Sequence, residues 1–254
     1  MTDATGTPPL VCAFDDDRLE ITLNRPAKLN ALTPDMLRTL AAVLDDPRVA
    51  DCRLVVLRAA GERAFSAGFD LTVLRELGTS AHEGDPLGAA GAALAGCPVP
   101  TVAVLHGYCW GAAVELVASC DLRIARDDVT FAVPSHRLGS VYRPAGIDLV
   151  ARRFGWTTAV ELFLFGLTVP VDTAVSRGVL AWAGPAEEVD GWLAETLDRL
   201  RQAGESAATH KRILTQWLDR AEVPAELMSN WELLRAESVR RRTIPAVGGR
   251  RHGS

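Results

Sequence analysis

The stretch HGYCWGAAVELVASCDLRIA, His106 to Ala125, reads as the end of a strand, a small-residue turn, a short apolar helix and the start of a further strand. Gly111, Ala112 and Ala113 open the helix, and side chains this small let a backbone approach a ligand closely. The first amides of a helix lack intrahelical acceptors and carry the positive end of the peptide dipole, so they attract a developing negative oxygen. Glu115 then interrupts a run made of Val114, Leu116, Val117 and Ala118. It follows Ala112 by almost one helical turn and therefore lies on the same face, near the same end. Its apolar neighbours predict burial and a raised carboxyl pKa.

Outward from this stretch the chain alternates β-rich and helical runs. LEITL (19–23) and LVVLRA (54–59) flank PDMLRTLAAVL, where Thr33 is placed to cap and Pro34 suits the first turn. Met36, Leu37, Leu40, Ala41 and Leu44 form one apolar face of that helix. TVAVLHG (101–107), LRIA (122–125) and TFAV (130–133) continue the rhythm, which predicts an α/β fold of parallel strands joined by helical crossovers. The polar, Gly- and Ala-rich stretch at 78–91 reads as a loop, either a mobile one beside a site or a plain surface loop. Beyond about residue 185 strand signals vanish. Three amphipathic helices follow, marked by Val189, Trp192, Leu193 and Leu197, by Ile213, Leu214, Trp217 and Leu218, and by Leu227, Trp231 and Leu234.

A chain of 254 residues, 48% of them hydrophobic, buries a sizeable core. The net charge of -5 gives no global attraction to nucleic acid or to an acidic membrane. No run approaches the ~18 apolar residues of a membrane span, and the N-terminus has no signal-peptide pattern. Five cysteines, 12, 52, 97, 109 and 120, include no CxxC pair, so neither a metal site nor a disulfide framework is indicated. A soluble, cytoplasmic protein without nucleic-acid or membrane partners is the expectation.

In ERAFSAGFDL (62–71), Ser66, Ala67 and Gly68 allow a tight turn out of the preceding strand and aim the Phe69 amide into a cleft. Together with the Ala112 amide it would form an oxyanion hole, each donor worth about 3 kcal/mol in a transition state. LNRPAKLNAL (23–32), AFSAGFDL (64–71), the 106–125 stretch, TFAVPSHRLG (130–139) and the VPVDTAVSRGVL helix (169–180) stand in an order that resembles the enoyl-CoA hydratase/isomerase (crotonase) family. The resemblance implies a spiral of β-β-α turns over 1–185, a helical trimerisation region over 186–240 and a flexible basic tail over 241–254. It implies an acyl-CoA substrate, no permanently bound cofactor, and a homotrimer or dimer of trimers. Carried over, the oxyanion amides are those of Phe69 and Ala112, and the CoA-lining positions are Arg25, Lys28, Leu29, Ala67, Gly68, Asp70 and Leu71.

Hydratases of the family carry a second glutamate after a proline, where this chain has Ser135. Adding water needs two carboxylates sharing proton transfers, and a serine hydroxyl is too weak an acid or base to replace one. Decarboxylation of a malonyl-type thioester needs only stabilisation of the enolate left by CO2. KLNAL, the DPL at 85–87, Trp110 and LGSVYRPAGI (138–147) resemble methylmalonyl-CoA decarboxylases, in which a tyrosine at the place of Tyr142 faces the substrate carboxylate. Decarboxylation of a methylmalonyl-like thioester is the first reading, and hydration or double-bond isomerisation through Glu115 alone is the second. A non-catalytic acyl-CoA-binding protein is the third. Ser135 and His136 do not form a hydrolytic pair, because neighbours on an extended segment point to opposite faces.

Overall fold

A computed structural model describes residues 7–15, 17–73, 84–135, 139 and 141–218. Strands β1 (Leu10–Asp15), β2 (Arg18–Leu23), β3 (Leu54–Ala59), β5 (Thr101–Leu105), β7 (Leu122–Arg126) and β10 (Trp182–Gly184) form one sheet in the order β1-β2-β3-β5-β7-β10. Only the β1–β2 pair is antiparallel. Strands β4 (Ala64–Ser66), β6 (Tyr108–Trp110), β8 (Thr130–Ala132) and β9 (Val169–Pro170) form a second, four-stranded sheet in that order. Each of the pairs β3/β4, β5/β6 and β7/β8 thus sends one strand into each sheet. Helices α2 (Pro86–Gly96), α3 (Ala112–Ala118) and α4 (Pro144–Phe154) follow them in turn, giving the repeating β-β-α spiral.

The middle of the larger sheet is buried on both faces, which is why β3 and β5 read as near-continuous apolar runs, whereas β2 alternates buried and half-buried positions. Val55, Leu57, Ala103, Leu105 and Ala125 point into the main core. Their neighbours Leu54, Val56, Val102, Val104 and Ile124 point the other way, against Val189 and Leu193 of α7 (Val189–Ala203). Helix α1 (Pro34–Leu44) begins as its sequence predicts, with Thr33 Oγ1 accepting from Met36 N and Met36, Leu37, Leu40 and Leu44 buried.

Two expectations are corrected. The second half of the predicted loop at 78–91 is helix α2, because Asp85 accepts from Gly88 N as an N-cap and Pro86 occupies the first turn. Of the segment 169–180, only Val171–Ser176 is helical (α6). In α8 (Glu205–Leu218), Ile213 and Leu214 are exposed on the single chain. Among the described side chains of α8 the buried one is Lys211, whose Nζ bonds Asp121 Oδ2 at 2.8 Å and the Val99 carbonyl at 2.9 Å.

Helix α5 (Trp156–Ala159) continues into a π-helical turn, Val160–Leu164, and with Leu167 this region exposes Trp156 (77%), Leu164 (70%) and Phe165 (65%). No helix among the described residues is long and apolar enough to cross a membrane, and among them no cluster of His, Cys, Asp or Glu is arranged to hold a metal. The third predicted C-terminal helix, the tail from 241, His136 and residues 78–83 lie outside the described residues.

Candidate active site

Two loops meet where α3 begins. Residues 24–32 are stitched to 66–70 by Ala67 N donating to the Leu29 carbonyl, Leu32 N to that of Gly68 and Asp70 N to that of Leu32, at 2.8–2.9 Å. Leu29 and Asn30 both take positive φ, 50° and 52°, a costly conformation for leucine. The buried Asn30 amide compensates by donating to the Ala60 and Ala64 carbonyls, while its Oδ1 accepts from Arg25 N. Gly68, at φ 91°, packs directly on the start of α3. A Cβ there would lie 2.8 Å from the Trp110 carbonyl oxygen and 3.1 Å from Ala112 N. That close approach brings the Phe69 segment beside the Ala112 amide, while Gly68 N and Asp70 N are bonded to Ser66 Oγ and the Leu32 carbonyl.

Arg25, a CoA-lining position by the resemblance, is tied into its own loop. Its guanidinium bonds Asp70 Oδ2 at 3.0 Å and the Ala31 carbonyl at 2.6 Å. The pair closes the loop upon itself and holds the Asp70 carboxyl below the usual range against the opposing effect of burial. Lys28 and Leu71 are exposed, Leu29 and Ala67 half-buried.

Glu115 is 2% exposed on α3. Burial pushes its carboxyl up to about 8, with the Tyr142 hydroxyl pulling the other way. Tyr142 is raised well above its ordinary value by burial and by the Glu115 charge. Glu115 Oε2 and the Tyr142 hydroxyl are both buried and have no hydrogen-bond partner among the described residues other than each other. They lie beside Gly146 in the first turn of α4, where a Cβ would collide with Glu115 Oε2 and stand 2.7 Å from Tyr142 Cε1.

Glu115 Oε1 is held by a residue that the sequence did not single out. Arg143 Nε donates to it at 2.6 Å and Nη2 contacts the same oxygen. Arg143 Nη1 reaches Asp85 Oδ2. The only signal in the sequence was the presence of both residues within motifs quoted for other reasons. Ser135 is half-buried in the turn after β8, and no carboxylate stands at its position. Trp110 pairs with Ala132 in register, and Gly111 N donates to the Ala132 carbonyl, so this turn runs beside the start of α3. Cys109 is fully buried and its thiol is pushed up by burial, which removes it as a nucleophile. His106 is buried with Nε2 unpartnered among the described residues, in keeping with a structural place.

Comparison with known proteins finds relatives along most of the chain. A methylmalonyl-CoA decarboxylase of Escherichia coli is 29% identical over 223 residues, covering 87% of this chain and 84% of that protein. A probable enoyl-CoA hydratase of Mycobacterium bovis is 29% identical over 192 residues, covering 74% and 73%. A solved structure of methylmalonyl-CoA decarboxylase in complex with 2-nitronate-propionyl-CoA superposes with a TM-score of 0.81 at 24% identity, covering 92% of this chain and 91% of that one. The sequence profile described as enoyl-CoA hydratase/isomerase matches residues 17–236, and the chain belongs to that family.

Proposed function

We propose that this enzyme binds an acyl-CoA thioester and stabilises its enolate, with decarboxylation of a methylmalonyl-like thioester as the reaction. The Phe69 and Ala112 amides receive the thioester oxygen, and Lys28, Leu29 and the Ala67 to Leu71 segment line the CoA moiety. The bond from the α-carbon to the carboxylate breaks, its electron pair passes into the thioester as an enolate, and CO2 leaves. A proton is then added at the α-carbon. Glu115, whose burial favours the protonated form near neutrality, is the group to supply it.

The observation that carries this reading is the juxtaposition of the buried Glu115 Oε2 and Tyr142 hydroxyl, which have no partner among the described residues other than each other. Such atoms are costly unless a ligand completes them. Ser135, in place of a second carboxylate, weighs against efficient addition of water. The test is consumption of methylmalonyl-CoA with release of propionyl-CoA. Removing one oxyanion donor in Phe69→Pro should lower the rate by about 100-fold or more. Wild-type protein no faster than that variant would reject the reading.

A second reading is favoured by the raised Glu115 carboxyl alone, since a single group poised near neutrality can carry a proton between two carbons of an enoyl thioester. Turnover of a 3-enoyl thioester that is unchanged in Glu115→Gln would exclude it. The reading also includes self-association as a trimer or a dimer of trimers, for which the exposed Trp156, Leu164, Phe165 and Leu167 offer an uncovered apolar surface. Sedimentation velocity should show an oligomer, and a monomer at micromolar concentration would remove that part.

A further inference from the structure

We propose that Arg143 is a positioning residue for Glu115: it clamps Oε1, so that Oε2 is the oxygen left to the acyl pocket, while Asp85 steadies the clamp from its far side. The proposal rests on the reading that Glu115 serves a bound thioester, and it adds how that carboxylate is oriented and charged.

Three elements converge to build the clamp. Glu115 comes from α3, Arg143 is the last residue before α4, and Asp85 is the N-cap of α2. Pro144 opens α4, and Arg143 is extended at φ -65° and ψ 138°, the conformation a residue before proline prefers. Its side chain makes no cap of its own helix and crosses instead to α3. Nε and Nη2 both address Oε1, and Nη1 turns to Asp85 Oδ2. The two Asp85 oxygens divide their work, Oδ1 capping α2 through Gly88 N at 2.9 Å and Oδ2 holding the guanidinium. Gly88 leaves room for this, since a Cβ there would lie 2.8 Å from Arg143 Nη1.

A planar guanidinium fixes direction as well as charge, which a flexible ammonium does not. With Oε1 occupied and Gly146 giving space at Oε2, the carboxyl has one orientation with a free oxygen beside Tyr142. The charge has a second effect. Burial alone drives Glu115 toward its protonated form, and a guanidinium in contact favours the anion, so the two oppose each other. Among the described residues, the groups that face the carboxyl are Arg143 and Tyr142 from the lead-in to α4, Cys109 of β6 by way of Tyr142, and Asp85 by way of Arg143. Arg143 is the one cation in this set, and its side chain is only 16% exposed, so solvent screens it weakly.

The proposal is tested without substrate, by infrared difference titration of the buried carboxyl, with Glu115→Gln identifying its band. Arg143→Met should move the Glu115 midpoint upward by about one to three pH units. Arg143→Lys, which returns the charge without the fork, should recover most of that shift. Circular dichroism and thermal melting check that each variant folds, and Arg143→Gln replaces Arg143→Met should the latter fail. An unchanged midpoint in the folded, uncharged variant overturns the proposal. Because the titration needs no turnover, a shifted midpoint with no active thioester would reject the proposed function and leave the clamp standing. Where turnover is found, the alkaline limb of kcat/KM against pH should move with the midpoint, because the protonated carboxyl is the form that supplies the proton.

Discussion

Gly146 shows how a residue without chemistry can decide what a catalytic group does. Its missing Cβ is the space in which Glu115 Oε2 and the Tyr142 ring stand. Gly146→Ala should therefore cost about 1–3 kcal/mol through overpacking, read as a lower Tm, and should reduce thioester turnover more than substrate affinity. Wild-type kcat in that variant would show that Oε2 is not the working oxygen. Glu115 itself was legible in the sequence, because a carboxylate amid Val114, Leu116, Val117 and Ala118 must be buried and must be compensated. Arg143 was not, because its partner lies 28 positions away on another element and neither periodicity nor motif spacing joins them.

Helix α3 is short, and it is held at both ends by groups outside itself. Its start abuts Gly68, and beyond its end lies the buried Arg123, whose Nη1 reaches the Val117 carbonyl of the last turn at 3.5 Å and donates to that of Cys120, just past the helix, at 2.9 Å, while Nε donates to the Val179 carbonyl at 2.7 Å. A cation at a helix C-terminus also favours the dipole. Burial lowers Arg123 only to about 10, so it remains charged at neutral pH. Arg123→Met should strand these carbonyls and cost on the order of 3 kcal/mol in urea unfolding. At α8 the sequence offered only an amphipathic pattern, and Ile213 and Leu214 of that pattern are exposed on the single chain. The helix is instead registered by the Lys211 ammonium, which finds Asp121 and two backbone carbonyls, those of Leu94 and Val99, between α2 and β5. An apolar pattern cannot reveal a helix docked through its charge. Lys211→Met should expose the 204–218 segment to limited proteolysis while leaving the spiral intact.

At the scale of the whole molecule, the strand rhythm was readable because β3 and β5 are largely apolar runs and β2 alternates apolar with polar residues. The division into two sheets was not, because β4, β6 and β8 are three residues each and β1 is an edge strand with little of its surface buried. His106 ties the sheets together, its carbonyl accepting from Phe65 N at 2.8 Å. Burial, aided by the nearby Arg126 charge, lowers the His106 pKa in the fold, against weaker support from Asp128 and Glu62. A group depressed in this way favours the folded state above its unfolded value, near 6.5. Stability should thus decline as pH falls from there through the folded pKa, and His106→Gln should flatten that part of the curve of unfolding free energy against pH. Lysine supplies a last consequence of the architecture. The chain has two, and since Lys211 is locked beneath α8, Lys28 on the rim of the proposed CoA channel is the exposed side-chain amine. An amine-reactive dye at neutral pH should attach there and at the N-terminus, making a spectroscopic reporter of ligand entry without any engineered residue.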